Sequence, residues 1–202
     1  MLNIDLIKDK VPHFGKTEKG LFTFKELENL LNLRPFCNTG RLKTTNNKMY
    51  EMRPYSWNNN PNENNWAAYT IKEMLKNSSI YLSDCSKASK KINNYSKKLE
   101  NIFNNPVDCH IYFSVIKNAE GFGKHRDVSQ NVIVVCEGTI NFKIYYNNKV
   151  LERDLSKGDY AYIPDNIYHH LTPISKKRLS CSFPVSHHKN DPLFDNREWL
   201  TL

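Results

Sequence analysis

The sequence predicts a mainly β protein: a small barrel or jelly roll lying behind an amino-terminal layer of helices and loops. Three observations carry that prediction. The hydrophobic period changes after Pro106 from helical spacing to short alternating runs. Six such β-rich runs then crowd into about 80 residues, which is the density of a closed or two-sheeted β fold. The chain has 202 residues, enough for one domain with a substantial core. The expected division is a helical and loop layer over 1–105, a β core over 106–185 and a tail over 186–202.

The amino terminus, MLNIDLIKDKVPHF, carries charges among its first ten residues and does not read as a secretory signal. FTFKELENLL follows, with Thr23 three residues before Glu26 in the manner of a capping box. Its apolar face is Phe24, Leu27, Leu30 and Leu31, and Pro35 stops it. NNNPNENN is turn or loop. YTIKEMLKN repeats the capping device with Thr70 and Glu73, placing Ile71, Met74 and Leu75 on one side. SIYLSD reads as a short strand. An amphipathic helix is expected from Ser86 to Phe103, with Ile92, Leu99, Ile102 and Phe103 buried. The core runs are CHIYFSVI, NVIVVCE, TINFKIYY, KVLERDL, DYAYIP and RLSCSFPV. Asn147-Asn148 suits a tight hairpin because asparagine tolerates positive φ.

Composition narrows the classes. The 39% hydrophobic and 12% aromatic content argues against wholesale disorder. No run approaches the roughly 18 apolar residues that span a bilayer, so a soluble, cytoplasmic protein with no membrane partner is expected. Cys37, Cys85, Cys109, Cys136 and Cys181 are five widely separated cysteines, with no paired-thiol spacing for structural zinc and no even count for a disulfide scaffold. Cys109, Cys136 and Cys181 sit in apolar, strand-like runs and read as reduced core thiols. The net charge of +8 can attract nucleic acid or anionic small molecules. Yet the lysines are scattered, with short clusters such as Lys90-Lys91 and Lys176-Lys177-Arg178, so a nucleic-acid partner is left open and not favoured.

The chemistry lies in GFGKHRDVSQNVIVVCEG. His125 and Asp127, two apart on an extended segment, face the same way and can share one metal. A third ligand is offered by GDYAYIPDNIYHH. Gly158, five residues, Pro164, one residue, Asn166, two residues and His169 match the second sequence box of the cupin barrels, with Asn166 in place of the usual glycine. Asp127, three residues, Asn131, six residues and Gly138 follow the first box, with Asp127 and Asn131 replacing a histidine and a glutamate. Two histidines and one carboxylate form the face that leaves half of an octahedral Fe(II) open for a chelating cosubstrate and dioxygen. The bland alternative is a polar turn at His125 and Asp127 and a core histidine at 169. His170 competes with His169, and the box spacing selects His169. His13, His110, His187 and His188 lie outside the boxes, and His110 reads as a hydrogen-bonded core histidine.

On these residues the chain resembles the JmjC-type, cupin-like Fe(II)/2-oxoglutarate oxygenases, in particular the ribosomal-oxygenase and asparaginyl-hydroxylase branch. The likeness runs from about residue 20 to 185, loosely in the first half and tightly from Cys109 to Phe183. It implies a double-stranded β-helix core, Fe(II) on His125, Asp127 and His169, and decarboxylation of 2-oxoglutarate to succinate coupled to hydroxylation of a protein side chain or small molecule. The sequence departs from the family at Ile140, where that branch places a cation for the distal carboxylate of the cosubstrate. Arg178, opening Arg-Leu-Ser with Ser180, and Lys143 are the two replacements; a guanidinium grips a carboxylate through paired hydrogen bonds. Asn131 matches a residue near the cosubstrate. Tyr112 alternates with Ser114 along a strand, so it either lines the mouth or belongs to the core. Ile140 also motivates a rival, a metal-binding sensor without catalysis, and the charge motivates another, an oxygenase acting on nucleic acid. Asp127, standing where a halogenase would have a small residue, disfavours that reaction. The loop over 38–65, with Tyr50, Tyr55 and Trp57, is a candidate cover for the mouth, and PLFDNREWL in the tail is either a dimer contact or a packed end.

Overall fold

The computed structural model describes residues 2–17, 20–31, 43–44, 75–76, 79–117, 119 and 121–186. The helix expected at 70–77, the loops over 58–65 and 38–65, and the tail fall largely or wholly outside them. The described elements are α1 (Ile4–Lys8), β1 (His13–Lys16), α2 (Phe24–Leu31), β2 (Lys43–Thr44), β3 (Ile80–Leu82), α3 (Lys90–Phe103), β4 (His110–Ser114), β5 (Asn131–Glu137), β6 (Thr139–Tyr146), β7 (Lys149–Ser156), β8 (Asp159–Ile163), β9 (Tyr168–Pro173) and β10 (Arg178–Pro184).

Two antiparallel sheets make the double-stranded β-helix. One has seven strands in the order β1-β8-β5-β10-β4-β3-β2, the other three in the order β7-β6-β9. Strand alternation explains their packing. Along β5, Val132, Val134 and Cys136 face one way and join Ile92, Leu99, Leu27 and Leu30 of the helices. Ile133 and Val135 face the other way and meet Ile140, Phe142 and Ile144 of the small sheet. Both faces of the large sheet are therefore covered, and β5 is a nearly unbroken apolar run.

The helices follow their caps. Thr23 Oγ1 accepts from the Glu26 N–H at 3.2 Å, which is one half of the expected box, and donates to Glu26 Oε2 at 2.8 Å. The helix expected from Ser86 begins instead at Lys90, because the Ser89 side chain caps it by accepting from the Ile92 N–H. Its end is a left-handed Asn104. Asn147 and Asn148 have φ of 48° and 59° and form the tight turn between β6 and β7.

The amino-terminal half is more than helices and loops. β1 pairs with β8, and β3 pairs with β4, so this half widens the large sheet at both edges. The core itself holds seven strands rather than six, the additional one being β9. Cys85, Cys109, Cys136 and Cys181 are free and buried, and Cys136 Sγ lies 3.6 Å from Cys181 Sγ. Among the described residues no helix is long and apolar enough to cross a membrane.

Candidate metal centre

β9 is the strand that sets the site. Pro164 follows β8, and Asn166, at φ 62°, turns the chain back in the left-handed region that the glycine of the sequence box would adopt. Alternation then turns Tyr168 outward, 43% exposed, and His169 inward, 2% exposed. His169 is paired across the sheet with Ile144, and its ring stacks on Phe142 at 5.9 Å.

The segment carrying His125 and Asp127 is sewn to β9 by backbone hydrogen bonds. The His125 N–H donates to the His169 carbonyl at 3.0 Å, and the His169 N–H returns one at 2.8 Å. The Asn166 N–H donates to the Asp127 carbonyl at 2.8 Å. Each imidazole is then oriented by its own backbone. Nδ1 of His125 lies 3.0 Å from the Gly123 carbonyl, and Nδ1 of His169 lies 3.1 Å from that of Ile167. A carbonyl only accepts, so each Nδ1 is the donor, and in the neutral ring Nε2 is the atom left to present a lone pair.

Those lone pairs converge. Ligand atoms of His125, Asp127 and His169 lie within 4.8 Å of one another. His169 Nε2 is 3.7 Å from Asp127 Oδ2, and the two imidazole centroids are 4.3 Å apart. Burial holds the His169 pKa below its ordinary value and the nearby His125 reinforces this, against the opposing pull of the Ile167 carbonyl and Asp127. The neutral imidazole, which is the metal-ligating form, is thereby favoured. His170 lies on the opposite face of β9, paired across the sheet with Lys143.

A polar strip runs through the otherwise apolar barrel interior. On β10, Leu179, Cys181 and Phe183 pack toward the helices, leaving Arg178, Ser180 and Ser182 on the inner face. Arg178 is 2% exposed, and its Nη1 donates to Ser180 Oγ at 3.1 Å. Its Nε has no partner, nor does Ser114 Oγ, and Ser114 is directly opposite Arg178 on β4. No carboxylate pairs with Arg178 among the described residues, and burial lowers its pKa to about 10. Tyr112 faces Ser180, with its ring centroid 6.0 Å from the Arg178 guanidinium carbon. Burial raises the Tyr112 pKa, and the Asp127 carboxylate raises it further while Arg178 opposes. The phenol is thus within electrostatic reach of both the ligand carboxylate and the buried guanidinium.

The remaining sequence candidates separate clearly. Lys143 lies on the outer face of β6, opposite in direction to Phe142 and Ile144, and pairs with Glu152 at 3.2 Å. Ile140 is fully buried and apolar. Asn131 lies at the start of β5, where its Oδ1 accepts from Ser182 Oγ at 2.9 Å. His110 pairs with Asp108 at 3.3 Å and is half-buried. Ser182 escaped the sequence reading, although alternation from Arg178 and Ser180 would have found it. Phe122 and Tyr81 also escaped it, because their place beside the site depends on how the loop folds back.

No protein-family model matches the chain, and no curated protein does. Among solved structures it is similar to the ribosomal oxygenase YcfD of Escherichia coli, with a TM-score of 0.65 and 15% identity over 96% of this chain and 54% of that one. YcfD in complex with cobalt and 2-oxoglutarate matches with a TM-score of 0.58 at 15% identity, covering 95% of this chain and 53% of that one. The form with cobalt and succinic acid gives 0.56 at 15%, covering 92% and 51%. The chain spans about half the length of these structures. At this identity the likeness is one of fold, the fold implied by the JmjC-type resemblance.

Proposed function

We propose that the protein is an Fe(II)- and 2-oxoglutarate-dependent oxygenase that hydroxylates a protein side chain or a small molecule. The observation that carries this reading is a buried guanidinium with no carboxylate partner among the described residues, on the inner strip of a barrel that also brings two imidazoles and a carboxylate together. A charge held in a low-dielectric interior without a counter-ion is costly, and a dianionic cosubstrate supplies the missing partner. Arg178 and Ser180 would grip its distal carboxylate, with Ser114 Oγ as a further donor, and Tyr112 would border it. His125, Asp127 and His169 would hold the metal, leaving positions for the cosubstrate and dioxygen. Iron there supplies the redox chemistry that couples decarboxylation of 2-oxoglutarate to substrate oxidation. Phe142, stacked on the His169 ring, gives that space an apolar wall. The complexes of the similar YcfD with cobalt and 2-oxoglutarate, and with succinic acid, support the same choice of ligand.

Ile140 favours a second reading, a metal-binding sensor that has lost catalysis. One experiment separates the two: Fe(II) and then 2-oxoglutarate are added without oxygen to metal-free protein, and the weak visible charge-transfer band of chelated cosubstrate is followed. The oxygenase reading expects a band that disappears in His169→Ala and needs much more 2-oxoglutarate in Arg178→Ala. Iron binding with no band sinks it and leaves the sensor.

A further inference from the structure

Around the proposed centre, the segment 121–128 alternates. His125 and Asp127 turn inward, while Phe122, Lys124, Arg126 and Val128 are exposed. Two of these are cations next in sequence to the ligands, turned to the side of Tyr168 rather than that of His169. Lys124 Nζ lies 3.8 Å from the ring centroid of Tyr145 and 5.3 Å from that of Tyr168, and the Arg126 guanidinium is 5.3 Å from the Tyr168 centroid. These contacts restrain both side chains without neutralising them. Neither cation has a carboxylate partner among the described residues. By contrast, Lys143 on the same small sheet is paired with Glu152.

On the other side of His125 the wall is aromatic. Phe122 is 40% exposed, and its centroid is 5.5 Å from the His125 ring, 5.6 Å from Tyr81 and 6.2 Å from Tyr112. Tyr81 stacks on Tyr112 at 5.2 Å, which fixes the rings behind Phe122. An exposed ring backed by ordered rings is a surface for a flat ligand.

Together these features specify a ligand with a planar part and an anionic part. We infer that the substrate is a nucleotide unit of a single strand, its base lying against Phe122 and its phosphates on Lys124 and Arg126. The inference rests on the proposed oxygenase centre and, in place of the protein side chain or small molecule that the resemblance implies, gives it the nucleic-acid substrate that the charge suggests. Lys124 and Arg126 flank His125, and Phe122 packs against the His125 ring at 5.5 Å, so the platform and the two charges gather around one residue of the site. Cations beside an aromatic platform are how single strands are held without reading their sequence. The net charge of +8 assists the approach of any polyanion, whereas the aromatic platform favours one that carries bases. An acidic peptide offers the charges without the flat rings.

The test is fluorescence anisotropy with a labelled 12-nucleotide RNA of mixed sequence, in competition with a mononucleotide and with a 12-residue oligoglutamate. The strand should bind, and the mononucleotide and oligoglutamate should compete poorly. Lys124→Glu with Arg126→Glu should weaken binding at least tenfold and lower the log–log salt slope by about 1.4, two single-strand phosphate contacts. Phe122→Ala should weaken it by about fivefold or more. Lys149→Glu with Arg153→Glu, an equal reversal elsewhere, should have little effect. Melting temperatures of all variants establish that each is folded. Equal competition by oligoglutamate, equal competition by the mononucleotide, or equal loss in the two charge reversals overturns the inference. Measuring the anaerobic 2-oxoglutarate band on the same wild-type preparation keeps the two readings apart. A band without strand binding removes only the nucleotide substrate, and strand binding without a band removes the oxygenase.

Discussion

Replacing Arg178 with methionine should make the ligand-free protein more stable while abolishing its response to 2-oxoglutarate. The side chain is 2% exposed, has one hydrogen bond to Ser180, and leaves Nε without a partner. Burial lowers its pKa from 12.5 to about 10. At 1.36 kcal/mol per pH unit, holding the charge inside costs about 3 kcal/mol. The folded value lies below the unfolded one, so this cost is fully present at pH 7 and is relieved only as pH rises through about 10. Methionine keeps most of the apolar stem and removes the charge, but forfeits the Ser180 bond, worth about 1 kcal/mol. The balance is about 2 kcal/mol, or roughly 4–8 °C in Tm for a chain of this size. The assay is thermal unfolding at pH 7 in the presence of Mn(II), with and without 2-oxoglutarate. At a hundredfold excess over Kd, the cosubstrate should stabilise the wild type by about 2.7 kcal/mol and the variant not at all. A variant that melts lower than wild type and still gains the ligand-induced shift would refute the argument.

Two other outcomes follow from the geometry. Burial holds His169 neutral in the folded protein, so the unfolded chain binds the extra proton as pH falls through about 6.5. The metal-free protein should therefore lose stability below that pH, and His169→Asn should flatten the dependence of the urea midpoint between pH 7.5 and 5.5; an unchanged slope counts against the assignment. Gly138→Ala should cost about 2 kcal/mol or more, since φ is 79° and the added Cβ would meet the Lys177 carbonyl and, at 2.6 Å, Ser175 Oγ. An unaltered melting temperature in that variant would contradict the contact.

The β core was legible where alternation and turn residues coincide, as in β5 through β8. β9 was not, because YHHLTP has little apolar character; its strand is made by pairing with β6, a long-range cause that no local window contains. β1 was hidden for the same reason, four residues including Gly15 held by β8. Box spacing located the three metal-site candidates because their positions depend on short turns whose φ demands appear in sequence, such as Asn166. Arg-Leu-Ser offered Arg178 as an anchor beside Lys143, but its burial has a long-range cause, since its register against β4 and β5 turns it inward. Lys143 was separable in principle, since Phe142 and Ile144 already claim the inner face of β6.

The four buried cysteines give the molecule an internal clock. Cys85, Cys109, Cys136 and Cys181 lie at or below 1% exposure, and burial raises the thiol pKa of Cys85 and Cys109. The contact with Cys181, and then burial, raise that of Cys136; for Cys181 the contact with Cys109 and burial raise it against the opposing contact with Cys136. Alkylation needs a thiolate in contact with reagent, so in a Cys37→Ser background labelling proceeds only when the helices lift from the large sheet. The four positions lie on different segments of that seam, ahead of α3, ahead of β4, in β5 and in β10. The order in which they become labelled therefore records the order in which the two layers part.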